Sequence, residues 1–200
     1  MIILPRTYAT VPIFILFFVL FIANNIYSQD SHIEFKGITL EGSLSSFVEK
    51  MEKNGFSLKK YPRDHVALMK GLFTGKWVEV LILSSPKTKT VWKVSVYYSE
   101  QESWTSLKSD YNEMVELFKK KYGEPKDHFE FFSSPYYEGD GYELQALRKE
   151  KCNYISFWTL DKGGIIVHIN QYGQIQIRYE DKINVKIKEK EDDENSLNDI

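Results

Sequence analysis

The sequence predicts an α+β fold in which two successive helix-plus-antiparallel-meander repeats form one sheet with both helices on one face. Three observations predict it. Two stretches carry helical spacing, each is closed by a glycine, and each is followed by extended segments with period-2 alternation. Several turns between those extended segments are short and glycine-bearing, as tight hairpins require. Two helices are also too few to cover both faces of eight strands, so one sheet face is left open.

The first helix is centred on Ser43–Gly55, where Leu44, Phe47, Val48 and Met51 form one stripe. Ser43 is positioned to cap it, or Ser46 with Glu49 makes a capping box one turn later. Asn54-Gly55 supplies the left-handed stop. Extended stretches follow at Val66–Phe73, Lys76–Ser84 and Thr90–Tyr98. In the second, Val78, Val80 and Ile82 share a face opposite Trp77, Leu81 and Leu83. In the third, Trp92, Val94, Val96 and Tyr98 alternate with Val91, Lys93, Ser95 and Tyr97.

The second unit begins at Ser103. Leu107, Tyr111, Met114, Phe118 and Tyr122 mark a long amphipathic helix that Gly123 and Pro125 end. Strands are expected over His128–Phe132, Tyr142–Glu150, Asn153–Leu160, Gly164–Asn170 and Gln174–Glu180, with Ile183, Val185 and Ile187 alternating as a last edge strand. The link Glu100-Gln-Glu102 contains no Pro, Gly or Ser, so residues 29–187 read as a single domain of two repeats, about 32–100 and 101–187. Residues 188–200 hold six acids against two lysines and are expected to be a disordered acidic tail.

Residues 1–28 read as a secretory signal peptide. Arg6 precedes the apolar run Val11–Ala23, which as a helix spans about 20 Å against a hydrocarbon core of about 30 Å. Ser28 offers a small residue before a cut, so the expected location is secreted or periplasmic, with no membrane span after cleavage. The chain of 200 residues has 26 basic and 28 acidic side chains, which argues against a nucleic-acid partner. Its 13 Phe, 13 Tyr and 4 Trp exclude a disordered chain, and its single Cys excludes an intrachain disulfide framework.

Chemistry-bearing motifs are sparse. Gly71-Leu-Phe-Thr-Gly-Lys76 has three residues between its glycines where a phosphate loop needs four, and Trp77 replaces the magnesium-binding hydroxyl. His32, His65, His128 and His168 are scattered without metal-ligand spacing, and no cofactor is implied. Cys152 with His168 lacks any orienting third group. The loop Tyr136-Tyr-Glu-Gly-Asp-Gly-Tyr-Glu143 gathers Glu138, Asp140 and Glu143, acids that suit hydrolysis, though no calcium-loop spacing is present.

The segments His32-Ile-Glu-Phe-Lys-Gly-Ile38, Glu41-Gly-Ser-Leu-Ser-Ser-Phe47, Gly55-Phe56, Gly71-Leu-Phe-Thr-Gly75, Ser103-Trp104, Lys121-Tyr-Gly-Glu-Pro125 and Tyr179-Glu-Asp-Lys182 together resemble small secreted proteins of Bacteroidetes-type bacteria. That group has no assigned biochemistry, so the resemblance implies export and says nothing of activity. The order of elements also resembles the β-lactamase-inhibitor-protein fold, a binding scaffold. Fold likeness does not carry function.

Two functions are therefore expected to compete. The first is a non-catalytic binding module for an envelope or extracellular protein or glycan. Period 2 sends Trp77, Glu79, Lys93, Tyr97, His168, Gln176 and Arg178 to the face opposite the helices, and rings with Arg are typical of binding hot spots. The candidate binding residues are Trp77, Tyr97, His168, Gln176 and Arg178. The second is an exported hydrolase using Glu138, Asp140 or Glu143.

Overall fold

The computed structural model describes residues 32–198. The expected signal peptide, residues 1–28, lies outside them. A two-stranded ribbon, β1 (Glu34–Phe35) and β2 (Ile38–Thr39), precedes helix α1 (Leu44–Lys53). Four strands follow: β3 (Ser57–Arg63), β4 (Val66–Phe73), β5 (Lys76–Ser84) and β6 (Val91–Tyr97). Helix α2 (Trp104–Tyr122) leads to β7 (Asp127–Phe132), the short helix α3 (Glu143–Arg148), then β8 (Cys152–Leu160), β9 (Gly163–Ile169) and β10 (Ile175–Asp181). Helix α4 (Lys182–Asn198) closes the described chain.

Local chemistry sets the helix ends. The Ser43 hydroxyl accepts the Ser46 N–H at 3.3 Å, and the Ser103 hydroxyl accepts that of Ser106 at 3.3 Å. Gly123 ends α2 at φ 82°, a left-handed conformation costly for a side chain, and its N–H reaches Lys119 O at 2.8 Å. Lys119, Lys120 and Lys121 in that last turn complement the negative end of the helix dipole.

The main sheet is antiparallel throughout, in the order β3-β4-β5-β6-β10-β9-β8-β7. The two meanders meet at β6 and β10, where Val96 stands opposite Ile177 and Val94 opposite Tyr179. Val78, Val80, Ile82, Val94, Val96, Ile165, Val167, Ile169, Ile175 and Ile177 are all buried, on the face predicted from period 2. The buried stripes of α1 (Leu44, Phe47, Val48, Met51) and α2 (Leu107, Tyr111, Met114, Val115, Phe118) belong to the same core cluster. Phe118 packs on Trp158 at a tilt of 47° with ring centroids 5.5 Å apart, and Phe35 meets Tyr179 edge-on at 5.3 Å. Among the described residues no helix is long and apolar enough to cross a membrane.

One strand is unexpected, and several expectations are corrected. β3 precedes the first expected strand and shows no burial alternation, because this Lys-rich edge strand is exposed along almost its whole length. Tyr142–Glu150, expected as a strand, contains α3, whose buried Glu143, Ala146 and Leu147 follow helical spacing. Trp92, expected in the core with Val94, falls at a register shift between β5 and β6 and is half-buried. The ammonium groups of Lys93 and Lys188 each lie over its ring, at 5.2 and 5.5 Å.

The expected edge strand at Ile183–Ile187 and the expected disordered tail, residues 188–200, are instead helix α4 through Asn198. Polar anchors hold it. Asp181 Oδ1 accepts the Asn184 N–H at 2.9 Å while its Oδ2 accepts the Ile33 N–H at 2.9 Å. The Asn184 amide donates to Leu40 O and Val91 O, both at 2.8 Å. Glu191 accepts the Lys87 N–H at 2.7 Å, the Thr88 N–H at 3.1 Å and the Thr88 hydroxyl at 2.7 Å. These bonds satisfy backbone donors of the β5–β6 turn that a hydrophobic pattern cannot reveal.

Candidate binding face

The sheet face away from α1 and α2 is built by the alternate residues of every central strand. One row across it reads Lys70, Glu79, Tyr97, Gln176, His168, Ile155 and Phe129, taken from the register of successive strand pairs. The next row reads Leu68, Leu81, Ser95, Arg178, Ile166 and Phe157. All five predicted binding residues therefore share this face. Trp77, 59% exposed, lies beyond Glu79 on β5, opposite Leu72 of β4.

Two adjoining hollows mark one end of the face. The larger, about 670 Å3, is lined by Tyr97, His168 and Gln176 together with Asn153, Asn170 and Tyr172. The smaller, about 200 Å3, lies between Trp77, Lys70, Glu79 and Tyr97. Tyr97 and Gln174 line both. Gln174 is fixed there because its amide donates to Tyr98 O at 3.1 Å and its backbone N–H reaches the Asn170 side chain at 3.1 Å.

Within the larger hollow, His168 Nε2 and Gln176 Oε1 are 2.8 Å apart across the β9–β10 ladder. Burial pushes the His168 imidazole down to about 4, and the positive charges of Arg178 and Lys93 add to that shift against the Gln176 bond. The ring is therefore neutral at pH 7 and donates through Nε2 to the amide oxygen. Burial also raises the Tyr97 hydroxyl above its ordinary value, so it is a neutral donor and acceptor.

Arg178 is the unusual group. It sits between Ser95 and Ile166 in the middle of the face, and its Nε is buried with no hydrogen-bond partner. The nearest acid on its own strand, Glu180, is engaged by Lys93 at 2.9 Å. Among the described residues no carboxylate forms an ion pair with Arg178. Leaving a buried donor unpaired costs about 1–3 kcal/mol, and more when the group is charged.

The loop acids are placed elsewhere and used differently. Glu138 pairs with Lys108 of α2 and accepts the Tyr154 hydroxyl at 3.3 Å. Asp140 accepts the N–H groups of Tyr137 and Tyr142 at 3.0 and 2.7 Å, and Glu143 accepts that of Gly139 at 2.9 Å. Asp140 and Glu143 thus shape their own loop, while Glu138 ties it to α2 and β8. Cys152 lines the larger hollow, but burial pushes its thiol up to about 12, far from a thiolate at neutral pH. Among the described residues no three His, Cys, Asp or Glu side chains converge as a metal site.

The apolar residues of the face, Leu68, Ile155, Phe157, Ile166 and Phe129, are absent from the sequence-derived set. The same period-2 rule applied along β4, β7, β8 and β9 places them there, since alternate residues of a strand share a face. Gln174 and Asn170 carry no such signal, because they belong to the turn between β9 and β10. Comparison with protein-family profiles, curated proteins and solved structures finds no match.

Proposed function

We propose that this is an exported, non-catalytic binding module, made of two tandem repeats, that docks a protein of the cell envelope or extracellular space on its open sheet face. The export reading rests on the signal-peptide pattern of residues 1–28. The observation that carries the binding reading is Arg178, whose buried Nε has no hydrogen-bond partner and which lies in one row with the half-buried Leu81, Ile166 and Phe157. A guanidinium presents a planar fork that matches a carboxylate, and a partner's Asp or Glu supplies the missing counter-charge. The aliphatic surroundings favour a protein segment with apolar residues beside that acid. Trp77 and Tyr97, exposed or half-buried rings beside the hollows, extend the same surface.

The hydrolase reading is not favoured, because Glu138, Asp140 and Glu143 already bind groups of their own loop, α2 and β8. The test is selection of random displayed peptides on the immobilised mature chain. Expected binders carry an Asp or Glu flanked by apolar residues and lose roughly tenfold or more in affinity against Arg178→Gln. Binders recovered equally well on Arg178→Gln overturn the reading. Acidic oligosaccharides that bind where peptides do not replace the protein partner by a glycan.

A further inference from the structure

The two edges of the main sheet are unlike. β3 carries Lys59, Lys60 and Arg63, contains Pro62, and pairs with β4 through two register shifts. Charge, proline and irregular register are the features that keep an edge from pairing with another chain. β7 lacks the proline and the register shifts, and its only charged side chains besides the His128 imidazole are the acids Asp127 and Glu130. It pairs with β8 without interruption from Asp127–Phe157 to Phe132–Cys152, and it contains neither Pro nor Lys. Phe129 and Phe131 are 47% and 46% exposed on it.

We infer that β7 pairs antiparallel with β7 of a second copy of this chain, joining two eight-stranded sheets edge to edge. The register follows from hydrogen-bond alternation. Ser133 N–H bonds Lys151 O at 2.7 Å, and Ser133 extends the ladder in which Phe132 faces Cys152. Residues of the same parity, Phe131 and Phe129, therefore turn their N–H and C=O groups toward β8, while His128 and Glu130 present theirs outward. A two-fold axis at Phe129 then sets His128 opposite the partner's Glu130, and Glu130 opposite the partner's His128, with both exchanging backbone hydrogen bonds.

The side chains agree with that register. Phe129 meets its own symmetry mate on the open face, and opposite residues of an antiparallel pair share a face. His128 and Glu130 already approach one another at 3.2 Å along the strand, so each acid gains a second His across the join. A slip that puts the axis at Glu130 instead opposes two like carboxylates, which is unfavourable. Self-complementarity about one residue is what an isologous interface requires, and it is the reason the occupant is a second copy rather than an unrelated strand.

Sedimentation equilibrium of the mature chain tests this. The wild type is expected to be a concentration-dependent dimer. Phe129→Lys is expected to weaken it roughly tenfold or more, while Tyr61→Lys on the β3 edge leaves it unchanged. Phe131→Glu serves as the second variant, and circular dichroism checks that each protein is folded. A wild type that stays monomeric into the millimolar range overturns the inference. A dimer indifferent to both Phe substitutions, or one broken by Tyr61→Lys, overturns it equally.

Discussion

His168 and Gln176 face each other across the β9–β10 ladder, with imidazole Nε2 and amide Oε1 2.8 Å apart. Burial, with the positive charges of Arg178 and Lys93, keeps the ring neutral against the Gln176 bond, and the folded ring titrates near 4 instead of its ordinary 6.5. The unfolded chain therefore takes up a proton at higher pH than the folded one. Stability contributed by the neutral ring is complete above pH 6.5 and falls as the pH drops toward 4, by about 3 kcal/mol. Urea denaturation at a series of pH values should show this loss in the wild type and not in His168→Gln. Parallel pH profiles for the two proteins would contradict it.

Glu191 docks α4 on the β5–β6 turn. Burial alone raises a carboxylate, but the N–H groups of Lys87 and Thr88, with the Thr88 and Ser85 hydroxyls, together hold this one below its ordinary 4.5. Its contribution is present above pH 4.5 and is lost as the pH falls through the lower folded value. Glu191→Ala should cost about 2 kcal/mol, the range for hydrogen bonds to a charged group. Hydrogen exchange should quicken at the Lys87 and Thr88 amides in the variant at neutral pH, and in the wild type in acid. Unchanged protection in the variant would mean that the helix is held elsewhere.

Gly71 lies under the Phe56 ring, and a methyl group added there would overlap ring carbons Cδ1 and Cγ. Phe56 is buried at 4% exposure and has little room to retreat. Gly71→Ala should destabilise the fold by about 1–3 kcal/mol through overpacking, despite the better strand propensity of alanine. The double variant Gly71→Ala/Phe56→Leu should recover part of that loss. Thermal denaturation of the three proteins decides it.

Trp77 is more than half exposed and stacks only loosely, with the Lys70 ammonium 5.6 Å from its ring. Trp77→Ala should leave stability within about 0.5 kcal/mol. It should nonetheless weaken a peptide bound on the open face by about 1 kcal/mol or more. A large stability loss with unchanged binding would reverse the role assigned to this ring.

The face assignment was legible because β5, β9 and β10 each bury one side more deeply than the other. Val78, Val80 and Ile82 reveal the orientation of Trp77 and Glu79 with no tertiary information. The ends of α1 and α2 were legible from Ser43, Ser103 and Gly123, whose chemistry is local. What escaped was held by polar contacts or buried too little. α4 has no apolar stripe and depends on Asn184 and Glu191 meeting backbone groups about a hundred residues away in sequence. β3 hides no side-chain row, so no period marks it. The solitude of Arg178 was also illegible, because only the folded register shows that Lys93 engages Glu180.

The central claim is that Arg178 receives a carboxylate from a docked protein segment. A double-mutant cycle by calorimetry tests it most directly, pairing wild type and Arg178→Gln with a selected acidic peptide and its amide counterpart. Either change alone is expected to weaken binding roughly tenfold or more, and both together to cost little beyond one. Losses that simply add, or an Arg178→Gln protein that still distinguishes the acid from the amide, would contradict it.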